Sequence, residues 1–187
     1  MPPKVRITKE DIVQTAIELV RKNGEQAINA RAIAGALHCS TQPVFSNFAA
    51  MEELHRAVIA ACYDLYLDFL KTEAESGAYP PYKSFGMASI RFAEEQKELF
   101  KLLFMCDRQG EALTPSVDFT ASVDMIMAAN GITREQAELI HLEMWTCVHG
   151  IGTMLATSFL SLDRELISRM LSDVYQGLRA KHLSEGT

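Results

Sequence analysis

The sequence predicts an all-α protein, an N-terminal three-helix helix-turn-helix domain followed by a larger helical bundle, about nine helices in all. Three observations carry this. Apolar residues recur at three- and four-residue spacings almost throughout, no stretch keeps a period of two for long, and runs of β-branched residues are missing.

The first helix is "TKEDIVQTAIELVRKNG". Thr8 is its N-cap with Asp11 in the reciprocal position, Ile12, Val13, Ala16, Ile17 and Val20 form one stripe, and Asn23-Gly24 stops it. The second starts at the good cap Asn29 and runs "ARAIAGAL" to Leu37, with the small face Ala30, Ile33, Ala34 and Leu37. A short break, "HCS", leads to "TQPVFSNF", which Ser40 can cap and in whose first turn Pro43 loses little. A longer helix spans about 51–75, and "SGAYPPY" is the clearest break. Helices follow at about 81–95, 96–106 and 115–129, then one from the cap Thr133 to about Phe159, and a last one from about Leu162 to His182.

Composition bounds the function. Of 187 residues 48% are apolar and 22% charged, and the 6 prolines and 10 glycines exclude disordered and collagen-like chains. "MPPKVRITKEDI" lacks the apolar region of a secretory signal, and "MWTCVHGIGTMLATSFL" is too short and too polar to span a bilayer. We expect a soluble, cytoplasmic protein without a membrane partner. Cys39, Cys62, Cys106 and Cys147 form no CxxC pair, and Cys147 and His149, two apart, diverge on a helix, so we expect reduced thiols, no metal and no cofactor. Net charge is −6, but residues 1–50 hold six Lys/Arg against four Asp/Glu, and residues 51–187 twelve against twenty. A balance of +2 on an acidic body permits an anion-binding head.

The segment "HCSTQPVFSNF" can be packing filler, a thiol or metal site, or a reading head. Its setting favours the last, because a small-faced helix lets a following helix cross it closely. Val44 and Phe48, four apart, make an inward face, which leaves Thr41, Gln42, Phe45, Ser46 and Asn47 on or near the outside. Gln and Asn can bond adenine bidentately in the major groove, and Thr or Phe can touch a thymine methyl.

Residues 7–55, "ITKEDIVQTAIELVRKNGEQAINARAIAGALHCSTQPVFSNFAAMEEL" with the first of the next helix, resemble the DNA-binding domain of the TetR family of bacterial transcriptional regulators. The resemblance implies that Thr41, Gln42, Pro43, Phe45, Ser46 and Asn47 meet DNA, with Arg31 and Ser40 near its backbone. Three positions depart from the family pattern: His38 replaces a turn glycine, Phe45 a tyrosine, and Met51 a lysine. The last two remove phosphate contacts, so a shallower salt dependence is expected.

Further on, "WTCVHGIGTMLATSF" resembles the subgroup of that family with a Trp…His-Gly signature, here Trp145, His149 and Gly150. The resemblance implies that the last two long helices dimerise as a four-helix bundle. Helical glycines cost about 1 kcal/mol each relative to alanine. Close approach offsets that cost, either between subunits at Gly152, Thr153 and Ala156 or inside one. The last helix would add Ile167, Met170, Leu171 and Val174 to a homodimer interface. Aromatic and methionine side chains gather in the middle of the chain, as ordinary core or as an effector pocket lined by Tyr63, Tyr66, Phe100, Phe104, Met105, Met125, Met144, Trp145 and His149. Few charges fall at inward positions, which favours a largely apolar effector.

The sequence therefore reads as a non-enzymatic, homodimeric DNA-binding regulator, most simply a repressor released from a palindromic operator by a small molecule. Residues 1–50 form the DNA-binding domain and 51–187 the effector-binding and dimerisation domain. An enzyme would need a converging nucleophile–base or metal set, which the sequence does not offer. The alternative is a helical protein-interaction module whose head has lost DNA binding.

Overall fold

The computed structural model of the chain describes residues 7–106 and 119–184. Among the described residues the backbone forms helices only: α1 (Lys9–Asn23), a 3-10 turn (Glu25–Ala27), α2 (Ala30–Ala36), α3 (Gln42–Asn47), α4 (Met51–Glu75), α5 (Pro81–Glu95), α6 (Lys97–Phe104), α7 (Thr120–Asn130), α8 (Arg134–Ala156) and α9 (Arg164–Ser184). Of the helix expected at about 115–129, residues 115–118 lie outside the described residues.

The helix starts follow local chemistry. Thr8 and Asp11 form a reciprocal capping box on α1, and Thr133 and Gln136 form another on α8. Asn29 accepts from the Ala32 N–H at 2.9 Å, and Asp163 Oδ1 accepts from the Leu166 N–H at 2.7 Å. Each of these caps satisfies an N–H that the helix itself cannot. The end of α8 differs from the sequence expectation. It stops at Ala156, not near Phe159, because Ser158 takes a left-handed φ of 57° and the Phe159 N–H donates back to the Met154 carbonyl at 2.9 Å.

The described chain packs as two compact units. Unit 1 takes α1, α2, α3, α4 as far as Leu67, and α6 with the residues to Cys106. In it α1 lies against α2, α3 and α6, and α2 against α3. Its core holds Ile12, Ala16, Ile17 and Val20 of α1, Ile33 and Ala34 of α2, and Val44, Leu54, Val58 and Leu99. Unit 2 takes the rest of α4, α5, and the chain from α7 onward. Here α8 is the central helix, packed by α5, α7 and α9 around Ile90, Val123, Ile126, Ile140, Ile151, Leu155, Ile167 and Leu171. A Cβ on Gly86 would meet Val148 at 3.3 Å and Leu171 at 3.4 Å, so only a small residue lets α5 approach this closely. The division between the two packing units falls inside α4, at Leu67/Asp68.

Candidate functional site

The turn that aims α3 is built by backbone hydrogen bonds. After Leu37 the chain enters the left-handed region at His38, with φ of 52°. The His38 N–H donates to the Gly35 carbonyl at 3.2 Å, and the Cys39 N–H to the Ala34 carbonyl at 3.0 Å. This is a Schellman ending with histidine where glycine is usual. The expected Ser40 cap does not form. Thr41 is the N-cap of α3, and its side chain makes no capping bond. Its carbonyl accepts from the Val44 and Phe45 N–H groups at 3.1 and 3.3 Å, which holds the first turn instead.

Val44 is buried and so is Phe48, fixing the inner face of α3 against unit 1. Gln42, Phe45 and Ser46 are exposed, Phe45 by 54%. Thr41 and Pro43 are half-buried beside them, and Arg31 and Ser40 are exposed. Asn47 is half-buried on the same helix. Its Nδ2 donates to the Pro43 carbonyl at 2.8 Å and to the Ile7 carbonyl at 3.4 Å, so the nitrogen end of its amide serves the fold. Ser46 Oγ donates to the Gln42 carbonyl at 2.9 Å and keeps its lone pairs as acceptors.

Charge near this face is largely paired. Lys9 Nζ binds Glu53 at 3.0 Å and lies 4.9 Å from the Phe48 ring centroid. Glu53 also accepts the Ala49 N–H at 2.8 Å. That backbone bond, reinforced by Lys9, holds its carboxyl below the usual range.

The candidate effector residues divide between the units. In unit 1, Tyr63, Tyr66, Phe104 and Phe100 form a run of rings with successive centroid distances of 5.9, 5.1 and 5.0 Å. Phe100 is core, and Met105 is exposed at the end of α6. In unit 2, Met144 is core and Met125 is half-buried. Trp145 stacks on His149 at 4.0 Å, and the His149 Nδ1–H donates to the Trp145 carbonyl at 3.0 Å. Burial pushes the His149 pKa down, against the smaller effect of that bond. Unit 2 also carries a surface cleft of about 250 Å³ lined by Met87, Ile90, Arg91, Glu94, Leu162, Asp163, Arg164 and Ile167. Its four charged side chains make it more polar than the expected pocket.

Sequence reasoning missed His141 and Tyr82. His141 is only 8% exposed, and its Nδ1 lies 2.9 Å from the Tyr82 hydroxyl. Rings of Phe119 at 4.5 Å and Tyr82 at 5.8 Å flank it. Tyr175 stacks 5.6 Å from Tyr82, and its hydroxyl accepts from Asn130 Nδ2 at 2.8 Å. Burial lowers the His141 pKa and raises that of Tyr82. The signal was weak, because the two residues stand 59 apart and either alone reads as core.

The candidate interface residues also divide. Gly152, Ala156, Ile167 and Leu171 are buried inside the subunit, Thr153 and Met170 are half-buried, and only Val174 is exposed. The apolar stripe of α9 covers its own core in unit 2. The outward side of α8 carries Leu139, Leu142, Thr146, Gly150 and Met154, and a Cβ on Gly150 would meet nothing within 4 Å. Phe159, just beyond, is 77% exposed.

Among the described residues no group of three or more His, Cys, Asp or Glu is placed to hold a metal ion, and no helix is long and apolar enough to cross a membrane. The four cysteines are free thiols. Cys106 Sγ donates to Glu25 Oε2 at 2.9 Å, and Glu25 Oε1 lies 2.8 Å from His55 Nε2.

No family model and no curated protein matches the chain. Solved structures do. A TetR-like transcriptional regulator from Rhodococcus sp. RHA1 superposes with a TM-score of 0.63 at 16% identity, covering 94% of this chain and 96% of that one. A TetR-family member from Streptomyces coelicolor A3 superposes with a TM-score of 0.59 at 14% identity, covering 89% of this chain and 96% of that one. At such identities the likeness establishes the fold: an N-terminal helix-turn-helix followed by a helical bundle.

Proposed function

We propose that the chain is a TetR-like, DNA-binding transcriptional regulator of the bacterial cytoplasm, a repressor that a small effector releases from a palindromic operator. One observation carries the reading: α3 presents an uncharged outer face, with Gln42, Phe45 and Ser46 exposed and Val44 and Phe48 buried behind them. Such a face suits base edges better than phosphates. The Gln42 side chain makes no hydrogen bond to another described residue, so both ends of its amide remain for an adenine. Phe45 offers a thymine methyl an apolar partner, Thr41 and Pro43 border the contact, and Arg31 and Ser40 supply backbone holding. Asn47 positions the helix.

Residues 1–50 act as the reading head and the remainder as the regulatory body, with α4 as far as Leu67 and α6 packed into the head's unit. The homodimer forms through the outward stripe of α8, Leu139, Leu142 and Met154, with Phe159 just beyond its end and the exposed Val174 of α9. These are large apolar side chains that a monomer leaves in water. Two heads then enter successive major grooves about 34–36 Å apart. Effector binding in the body shifts the population toward a head spacing that no longer fits.

A gel shift with the DNA flanking the chain's own gene tests the proposal. Retardation at low salt supports it, and none, with a folded dimer, sinks it. The exposed Phe45 also suits a module that docks on another protein instead of DNA, and the same gel shift separates the two readings.

A further inference from the structure

The His141 ring has one nitrogen accounted for and one not. Nδ1 is bonded to Tyr82, whereas Nε2 is buried and has no hydrogen-bond partner among the described residues. Phenol O–H is the better donor and the imine nitrogen the better acceptor, so Tyr82 donates and the ring proton of neutral His141 sits on Nε2. A buried N–H is thus left unpaired, which is costly wherever nothing comes to meet it.

Its surroundings restrict what can meet it. Aromatic side chains from several elements gather there: Tyr82 of α5, Phe119 ahead of α7, and Tyr175 of α9, with Trp145 of α8 at 6.2 Å from Phe119. The Tyr175 hydroxyl is already engaged by Asn130. A buried water needs two to four polar partners, and among the described residues the ring contacts around His141 are aromatic. A molecule with an acceptor atom on a flat apolar body satisfies the N–H and the rings together. Among the described residues no Lys or Arg lies over any of these rings, so an anionic ligand would find no cation there to balance it.

We propose that His141, through its Nε2–H, is the recognition donor for an uncharged planar effector bearing a carbonyl-type acceptor, held among Tyr82, Phe119, Trp145 and Tyr175. This rests on the reading of the body as an effector-binding domain, and it names the class of effector. Tyr82 is a positioning residue, since it fixes which ring nitrogen carries the proton.

The test titrates the full chain with acetophenone and with ethylbenzene, which differ by a carbonyl in place of a methylene. Affinity is read by calorimetry and position by the ¹H–¹⁵N resonance of the His141 ring. We expect acetophenone to bind at least about tenfold more tightly and to shift the Nε2–H resonance. His141→Phe should remove the preference. Tyr82→Phe should weaken it while leaving ethylbenzene unchanged, and it carries the test if His141→Phe does not fold. Equal affinities, no binding of either probe, a preference that survives His141→Phe, or an unshifted resonance would each overturn the proposal, the last pointing to a resident water. No DNA enters this measurement. A lost ketone preference with an intact gel shift therefore removes only this inference, and the converse removes only the DNA reading.

Discussion

The Asn47 amide donates one turn back along α3, to the Pro43 carbonyl at 2.8 Å, while the Gln42 side chain on the same helix makes no hydrogen bond to another described residue. Two side chains of the same chemistry therefore have different duties. Gln42→Ala should relax base preference at one position of each half-site, costing about 1–3 kcal/mol against the preferred base. Asn47→Ala should lower the unfolding free energy by about 1 kcal/mol and weaken all sequences alike. Selection of sites from a random DNA pool, with urea melts beside it, checks both. An unchanged site preference in Gln42→Ala would strike that residue from the contact.

The left-handed His38 ends α2, and a non-glycine residue there carries a steric cost of roughly 1 kcal/mol or more. His38→Gly should therefore raise the unfolding free energy by about that much and leave DNA affinity nearly unchanged. If the variant loses stability, the histidine ring contributes something beyond its backbone conformation.

Some of this was legible from residue order and some was not. The capping boxes at Thr8 and Thr133 lie within four residues, so spacing alone reveals them. So does the inward pair Val44 and Phe48, because helical period decides it. The stripe Ile167, Met170, Leu171, Val174 was equally visible, but periodicity does not say whether the subunit or its copy covers a stripe. Here Gly86 lets α5 come close enough to cover Leu171. The end of α8 at Ser158 and the partnering of Asn47 depend on backbone carbonyls, which residue identity does not display.

That division gives a prediction about assembly. Leu142 is 52% exposed on the outer side of α8, whereas Leu171 is buried in the core of unit 2. Leu142→Glu should yield a folded monomer by light scattering, with helical content retained. Leu171→Ala should cost about 2–5 kcal/mol of subunit stability, as buried leucines do. A Leu142→Glu protein that remains dimeric at micromolar concentration would move the interface elsewhere.

Phosphate holding should be light. Lys9 is tied to Glu53, Phe45 has no hydroxyl, and Met51 has no charge, whereas Arg31 is exposed in the first turn of α2. The slope of log K against log salt should be shallower than that of about eight to ten phosphate contacts. Arg31→Gln should weaken every sequence alike and flatten the slope by about 1 per head. Binding isotherms across salt give both numbers, and a steep wild-type slope would mean that cations outside this face hold the DNA.

Acid should loosen the body before it reaches the carboxylates. Burial lowers the pKa values of His141 and His149 below the ordinary 6.5, so the folded state favours both rings neutral. Each contribution is fully present above the unfolded value and is lost as pH falls below about 6.5 toward the folded one. Unfolding then takes up protons, and stability drops by at most about 1.4 kcal/mol per pH unit for each ring. The urea midpoint should stay level from pH 8 to 7 and fall as pH drops below about 6.5. His141→Phe should lessen that fall and His149→Phe should do so independently, since each removes one titrating ring. Midpoints as steep in both variants as in the parent would place the acid sensitivity elsewhere, with Glu53 excluded because its lowered pKa titrates below 4.5.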